Sequence, residues 1–454
     1  MMKFTSLLFL PFLVMPLFIQ ANTTIPDEIK NGSFKAVKLI TQVTEKGQKI
    51  SGIALQYEAD ILSGKELAGL YQVEVQLDNK VLGHRHIVDA YTQQGITQQN
   101  DVAIGDTVFL VLDKEDKFAD SYELEQANTE PMNFRAIDAQ GTPITKQVVQ
   151  SNKVPKFYGN RLQYVIKQKG LLKLTNSKTV GERHITVSAS SENVVNPIID
   201  RFQSKQVSLN TKENYLNYRV YIPDLEKNRK YPLVIFLHGS GQVGSDNIAH
   251  LLSSRGAISV LDYSPSFIVA PQYQTVFDPF DDVTKGQQGG IHWQTNNRRQ
   301  LVLKMIDKTI LENPQIDTNR VYLIGLSRGA EGAMSLLLDR PTFFAGALLM
   351  SGREAGTVEW IDGKATTDLL APIKDIPIWF FHSKEDKVSP VAGTRKNYTL
   401  LHDQLRGKDI RYTEFSYQKA GDNGIVNNNP HNTWDAVFNS PAIMRWLLAQ
   451  QKRN

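Results

Sequence analysis

Residues 320–329 read Arg-Val-Tyr-Leu-Ile-Gly-Leu-Ser-Arg-Gly, and the stretch GAEGAMSLLLD follows over 329–339. An apolar strand, a serine between two glycines and then a helix is the context of a nucleophile elbow. The turn is so tight that side chains at Gly325 and Gly329 would clash, so both must be Gly. The serine hydroxyl of Ser327 is thereby pushed above a sheet. The helix start offers backbone N–H groups and a positive dipole end to a developing oxyanion. The plainer alternative is an ordinary strand-to-helix turn with Ser327 as N-cap.

Working outward, the same rhythm continues on both sides. YLNYRVYIP (215–223), PLVIFLHG (232–239), SFIVAPQY (266–273), FAGALLMSG (344–352), IPIWFFHS (376–383) and IRYTEFSY (410–417) read as strands. Most are near-continuous apolar runs, as expected of strands covered on both faces. Helix-like stretches lie between them at 246–261, 298–312, 329–339 and 390–406, and 433–450 closes the chain with a break expected at Pro441. Alternating strands and helices imply a parallel sheet flanked by helices.

A serine needs a base held by an acid, and in this arrangement they follow in the order acid, then His, each after a strand. Asp386 follows IPIWFF in the run His382-Ser383-Lys384-Glu385-Asp386, with Glu385 as the rival acid. His431 stands after the last strand, at the end of the loop KAGDNGIVNNNP. His382 reads as a structural strand-end residue, His402 as a mid-helix one and His238 as a structural loop histidine. Ser327, Asp386 and His431 are therefore the expected triad. The oxyanion donors are the backbone N–H of Arg328 and that of Ser240 or Gly241, in His238-Gly239-Ser240-Gly241 at the end of the strand PLVIFL. Arg328 either binds an acidic substrate group or pairs with Glu331.

These residues carry a resemblance. KYPLVIFLHGSGQVGSDN, FIVAPQY, IDTNRVYLIGLSRGAEGAMSLLLDRPTFFAGALLMSG, PIWFFHSKEDKVSP and His431-Asn432-Thr433-Trp434 occur in the order of the secreted α/β-hydrolase esterases related to feruloyl esterases and polyhydroxybutyrate depolymerases. The resemblance implies the same triad. It also makes Trp293 the best candidate for lining a substrate pocket, within the long insertion 274–297 that also holds Phe277 and Phe280, the equal alternative being that these aromatics only glue the loop to the body. The chain departs from the family at Arg328, Ala330 and Ser383, and in the long loop before His431.

Ahead of this region, FKAVKLITQV (34–43), KISGIALQY (49–57), YQVEVQLD (71–78), DTVFLVLD (106–113), RLQYVIK (161–167) and HITVSA (184–189) alternate apolar and polar residues with period two. They read as the strands of a β-sandwich. The AIGDTVFLVLD run is similar to the immunoglobulin-like domain that precedes some of these esterases. The expected fold is thus an α/β-hydrolase domain over 206–454, preceded by an immunoglobulin-like β-sandwich over 22–205. His84 and His86 share a strand face and could ligate a metal, but no third ligand is evident, and surface strand histidines are the better reading.

Residues 1–21 (MMKFTSLLFLPFLVMPLFIQA) have the layout of a cleaved secretory leader, with Lys3 before a short apolar middle broken by Pro11 and Pro16. The reading places the protein outside the cytoplasm, secreted or periplasmic, and not in a membrane after cleavage. The 454 residues carry a formal charge of +4, and loss of the leader removes one Lys and no acid. So small a charge gives no footprint for nucleic acid. With no Cys there is no thiolate nucleophile, disulfide or Cys-based metal site. No cofactor is implied. The expectation is a serine carboxylesterase acting on small-molecule or polysaccharide-linked esters. Its rivals are a prolyl-oligopeptidase-type peptidase and a catalytically idle binding module.

Overall fold

Apolar side chains alternate between two cores along each central strand of the second half of the chain. The computed structural model describes residues 33–452, apart from 63, 65, 98–100, 127–130, 138–142, 150–152, 282–291, 358–362, 417, 420, 423 and 428. The leader at 1–21 and positions 282–291 of the long insertion lie outside the described residues.

The first part is a sandwich of two antiparallel sheets. Strands β1 (Phe34–Thr44), β2 (Gly47–Leu62), β3 (Tyr71–Leu77), β4 (Lys80–Arg85), β5 (Ile87–Gln93), β6 (Ile104–Leu112), β7 (Gly159–Gln168), β8 (Arg183–Ala189) and β9 (Val194–Val195) build it. One sheet runs β9-β1-β2-β6-β5, where the short β9 alone is parallel to its neighbour, and the other runs β8-β7-β3-β4. The inward positions Ile53, Leu55, Val73, Val75, Val108, Leu110, Tyr164 and Ile166 form one buried cluster. The period-two alternation puts them there, because successive strand side chains point to opposite faces. His84 and His86 are exposed, with Glu74 beside His84. Among the described residues no group of three or more His, Cys, Asp or Glu is placed to hold a metal ion.

The second part is one eight-stranded sheet. Its strands are β10 (Gln203–Ser208), β11 (Tyr215–Tyr221), β12 (Tyr231–Leu237), β13 (Phe267–Gln272), β14 (Ile316–Leu326), β15 (Gly346–Met350), β16 (Ile378–Ser383) and β17 (Ile410–Phe415). They lie in the order β10-β11-β13-β12-β14-β15-β16-β17, parallel from β13 onward. Leu233, Ile235, Val321 and Leu323 face one core, while Val234, Phe236, Tyr322 and Ile324 face the other. The first core is covered by α1 (Asn296–Glu312), α2 (Arg328–Asp339) and α3 (Val391–Tyr398). The second lies under α4 (Trp434–Phe438) and α5 (Pro441–Leu448). This is the doubly wound architecture that the elbow implies.

Several expectations change. The stretch 246–261 is not one helix: a single turn at Ala249–Leu252 is followed by a 3-10 turn at Ser259–Asp262. Ser253-Ser254-Arg255-Gly256 contains weak helix formers, and the backbone presses so closely on Phe236 that a Cβ at Gly256 would sit 2.1 Å from its ring. The closing stretch is broken at Pro441 as expected, into two helices parted at Asn439-Ser440. Ser440 Oγ accepts the Ile443 N–H and Pro441 opens α5, where a missing N–H costs nothing. Strand β10 went unread because QSKQVS buries only Val207 on a polar sheet edge. The boundary expected at 205–206 falls inside it.

The sandwich touches the larger part through its first hairpin and through Tyr122, which lies after β6. Val43 and Tyr122 join the cluster that holds Leu251, Leu252, Val437 and Phe438. The connecting segment is pinned by Asn196, whose Nδ2 donates to Gln48 Oε1 at 3.0 Å. No helix among the described residues is long and apolar enough to cross a membrane.

Candidate active site

Ser327 occupies the sharp turn between β14 and α2, with φ 52° and ψ −120°. A side chain other than glycine's is strained there, and the strain is held by the turn's surroundings. The Ser327 N–H donates to the Met350 carbonyl at 2.8 Å. A Cβ on Gly325 would come 2.3 Å from the Gly329 oxygen, and one on Gly329 would come 2.0 Å from the Leu237 oxygen. Both glycines are therefore required, but Gly329 is constrained by strand β12 rather than by a side chain at 325.

The three expected residues meet above the strand ends. Ser327 Oγ lies 3.0 Å from His431 Nε2, and His431 Nδ1 lies 2.8 Å from Asp386 Oδ2. Asp386 Oδ1 accepts the N–H groups of Val388 and Ser389 at 2.8 and 3.0 Å. Burial alone would push the Asp386 carboxyl up. The hydrogen bonds from His382 and His431, with the backbone donors, outweigh burial and hold it well below the ordinary carboxylate value. The rival Glu385 is engaged instead by the hydroxyls of Ser383 and Ser416. His402 is exposed, paired with Asp403 and stacked on Tyr398.

The turn expected to supply the second oxyanion donor passes directly over the nucleophile: a Cβ at Gly239 would lie 3.4 Å from Ser327 Cβ. Ser240 and Gly241 open a 3-10 turn, Ser240–Gln242, and are exposed. The Gly239 carbonyl accepts from His238 Nδ1 at 2.7 Å and from the Gln242 N–H at 3.3 Å. Burial pushes His238 down to about 3, so the ring is neutral and acts as a fixed donor.

Trp293 is 1% exposed and belongs to the packed core beneath this turn, not to the wall of an open pocket. Its indole N–H donates to the His238 carbonyl at 2.9 Å, and its ring meets Tyr273 edge-on with centroids 4.6 Å apart. The close fit against α2 explains the burial, since a Cβ on Gly332 would lie 2.4 Å from Trp293 Cβ. The insertion around it is pinned by Arg298. That guanidinium donates to the carbonyls of Thr275, Val276, Phe277 and His292. Phe277 is half-buried. Phe280 is 38% exposed and lines a recess of about 90 Å³ with Tyr215 and Arg298, which includes none of Ser327, Asp386 and His431. Arg328 takes the structural one of its two alternatives: its Nη1 lies 2.9 Å from Glu331 Oε2.

Two contacts around Asp386 and His431 do not follow from the sequence reading. Ser351, at the end of β15, donates to the His431 carbonyl at 2.7 Å and lies 2.8 Å from Thr433 Oγ1, anchoring the loop that carries the imidazole. Its φ of 53° marks a second strained turn beside the elbow. The other is His382, which lies within hydrogen-bond distance of Asp386. Neither follows from a local pattern, because a strand-end Ser or His has no period to betray its contacts.

Asp435, at the start of α4, is buried, and burial pushes its carboxyl up to about 6 from the ordinary 3.8, against the hydrogen bond from Asn432. A raised acid binds more protons folded than unfolded between those two values. Stability should therefore fall as pH rises from about 4 to about 6, by up to about 3 kcal/mol. In Asp435→Asn that part of the slope should vanish, read from denaturant midpoints across this window.

Comparison with known proteins matches residues 36–181 to the family Esterase Ig-like N-terminal domain and residues 208–407 to the family Putative esterase. The crystal structure of a thermostable esterase superposes with a TM-score of 0.70 at 25% identity, covering 92% of this chain and 100% of that one. A ferulic acid esterase from Anaeromyces mucronatus, solved with ferulic acid, has a TM-score of 0.39 at 17% identity, covering 55% of this chain and 90% of its own. No curated protein sequence matches the chain.

Proposed function

We infer that this chain, an esterase in which an Ig-like N-terminal domain precedes an α/β-hydrolase domain and therefore a carboxylic ester hydrolase, works through Ser327, His431 and Asp386. The observation that carries this reading is the continuous hydrogen-bond line from Ser327 Oγ through His431 to Asp386, at 3.0 and 2.8 Å. Ser327 Oγ attacks the ester carbonyl while His431 Nε2 takes its proton. Asp386 keeps the Nδ1 hydrogen in place and stabilises the imidazolium. The tetrahedral intermediate collapses, and the alcohol leaves with the proton from His431. A water then gives its proton to His431 and attacks the acyl-enzyme. Ser327 recovers the proton, and the acid is released. The reading is tested with p-nitrophenyl acetate and a fluorophosphonate probe. Turnover together with covalent labelling mapped to Ser327 supports it, and labelling elsewhere or not at all rejects it.

The oxyanion is assigned to the N–H of Arg328, at the start of α2, and to that of Ser240. The Gly239–Ser240 peptide has its carbonyl turned onto His238 and Gln242, and a trans peptide aims its N–H the opposite way. Gly239 is extended, with φ −81° and ψ −179°, a conformation that tolerates a following proline. Ser240 begins the turn, where proline also fits. Ser240→Pro thus removes one N–H with little other change. It should lower kcat by about 10²- to 10³-fold with KM nearly unchanged, whereas Ser240→Ala should retain wild-type rates. A fully active proline variant would transfer the role to Gly241.

Residues 1–21 are proposed as an export leader, which makes the working enzyme periplasmic or secreted. The motivation is the basic start, short apolar middle and small residue at Ala21. N-terminal sequencing of exported protein that does not begin at Asn22 would refute this cleavage site.

A further inference from the structure

Asp386 Oδ2 faces two imidazoles. His431 Nδ1 lies 2.8 Å from it and His382 Nε2 lies 3.1 Å from it. The side chains of His382 and Asp386 are both 0% exposed, so no solvent competes for these contacts. His382 Nε2 is also 2.8 Å from the Ser389 carbonyl. Two acceptors at one nitrogen require that it carry the hydrogen, so Nε2 is a donor. On the other side of the ring, Nδ1 lies 2.9 Å from Thr394 Oγ1, which is itself 3.1 Å from the Gly352 carbonyl. The ring is thereby clamped between α3 and the loop 384–390. On the neighbouring strand the residue paired with His382 is Glu414, whose charge is taken by Arg395. The ionisable partners of the carboxylate itself are His382 and His431, while Val388 and Ser389 supply backbone N–H groups.

We propose that His382 is a positioning residue of the catalytic apparatus, which fixes the plane of the Asp386 carboxylate and withholds part of its negative charge from His431. Oδ1 is held by two backbone donors and Oδ2 by two imidazoles. The carboxylate therefore cannot rotate away from His431 Nδ1 without leaving a buried donor unpaired, which is costly. Sharing Oδ2 also weakens it as an acceptor for His431. A carboxylate relieved of one donor is more basic and stabilises the imidazolium more strongly. The general base then needs a higher pH to become available. The proposal rests on the Ser327–His431–Asp386 reading.

Two substitutions of similar size separate the ring's two nitrogens. His382→Asn keeps an amide near Nδ1 and Thr394 but withdraws the donor from Asp386. His382→Gln carries an amide N–H out to the position of Nε2. His382→Asn should lower kcat about tenfold, as expected for one charge-assisted hydrogen bond, with KM within about twofold. The acid limb of its kcat/KM profile should move upward by about half a pH unit or more. His382→Gln should regain most of the lost rate and return the limb to its wild-type position. If both variants lose rate in step with a lowered Tm while the limb stays fixed, His382 is only a packing residue and the proposal is overturned. If His382→Asn does not fold, Thr394→Val carries the test. It releases the ring but leaves Asp386 and Ser389 intact, and it should shift the limb the same way by less, whereas an unmoved limb overturns the proposal. Failure of the triad reading itself looks different, because the wild-type enzyme would then not be labelled at Ser327.

Discussion

Ser327→Ala is expected to lower kcat/KM for ester hydrolysis by about 10⁴- to 10⁶-fold, with the fold intact. The hydroxyl is the only group that the substitution removes, and the strained backbone of the elbow is as accessible to Ala as to Ser. The Ser327 N–H to Met350 carbonyl bond, which belongs to the backbone, also remains. Unfolding midpoints should therefore stay close to wild type while turnover falls. A unit that acts together also fails together: adding His431→Ala to Ser327→Ala should cost little more. A Ser327→Ala enzyme that retains more than a few per cent of wild-type turnover would displace Ser327 as nucleophile.

Gly329→Ala should be the most damaging small substitution for the fold. The added Cβ would meet the Leu237 oxygen at 2.0 Å, the Leu237 carbonyl carbon at 2.6 Å and the His238 oxygen at 2.8 Å. All three atoms are backbone, so no side chain can swing aside. Relief requires α2 to move off β12, and we expect a loss of at least about 3 kcal/mol in denaturant unfolding. Activity should fall further than stability accounts for, because the same displacement pushes the His238-Gly239 turn out of register with Ser327. Gly241→Ala is the control. Its Cβ meets nothing within 4 Å, and its stability should change by no more than about 0.5 kcal/mol.

Much of this was legible in the chain because period reports burial. PLVIFL and VYLIG carry no charged residue at any step, and both faces of their strands are covered. The front strands alternate, and one face of each packs into the sandwich. Where burial is scant the period disappears, as in QSKQVS, and the edge strand β10 was missed. Where a turn must fit a neighbour the local pattern misleads. The stretch 246–261 has helical spacing, yet Gly256 lies against the Phe236 ring, and the helix stops.

Trp293 shows the limit for site residues. An aromatic in a long insertion looks the same in sequence whether it faces a ligand or the core. Only the packing of Gly332 and Tyr273 against it, and its bond to the His238 carbonyl, place it beneath the turn at 238–241. By contrast, the i,i+3 spacing of Arg328 and Glu331 favours a pair over a substrate anion, and the pair is formed.

The sequence by itself determined the two-part architecture, the elbow at Ser327 and the order serine, acid, histidine along the strand ends, because these depend on local period, glycine sterics and the sequence of strand ends. Tertiary structure alone decided which acid meets the imidazole, that Trp293 is core, and that Asp386 is shared by His382 and His431. Ser327 and His431 are 104 residues apart and His431 and Asp386 are 45 apart. Contacts at that separation are fixed by how strand ends are stacked in the sheet, and no local pattern encodes a distance.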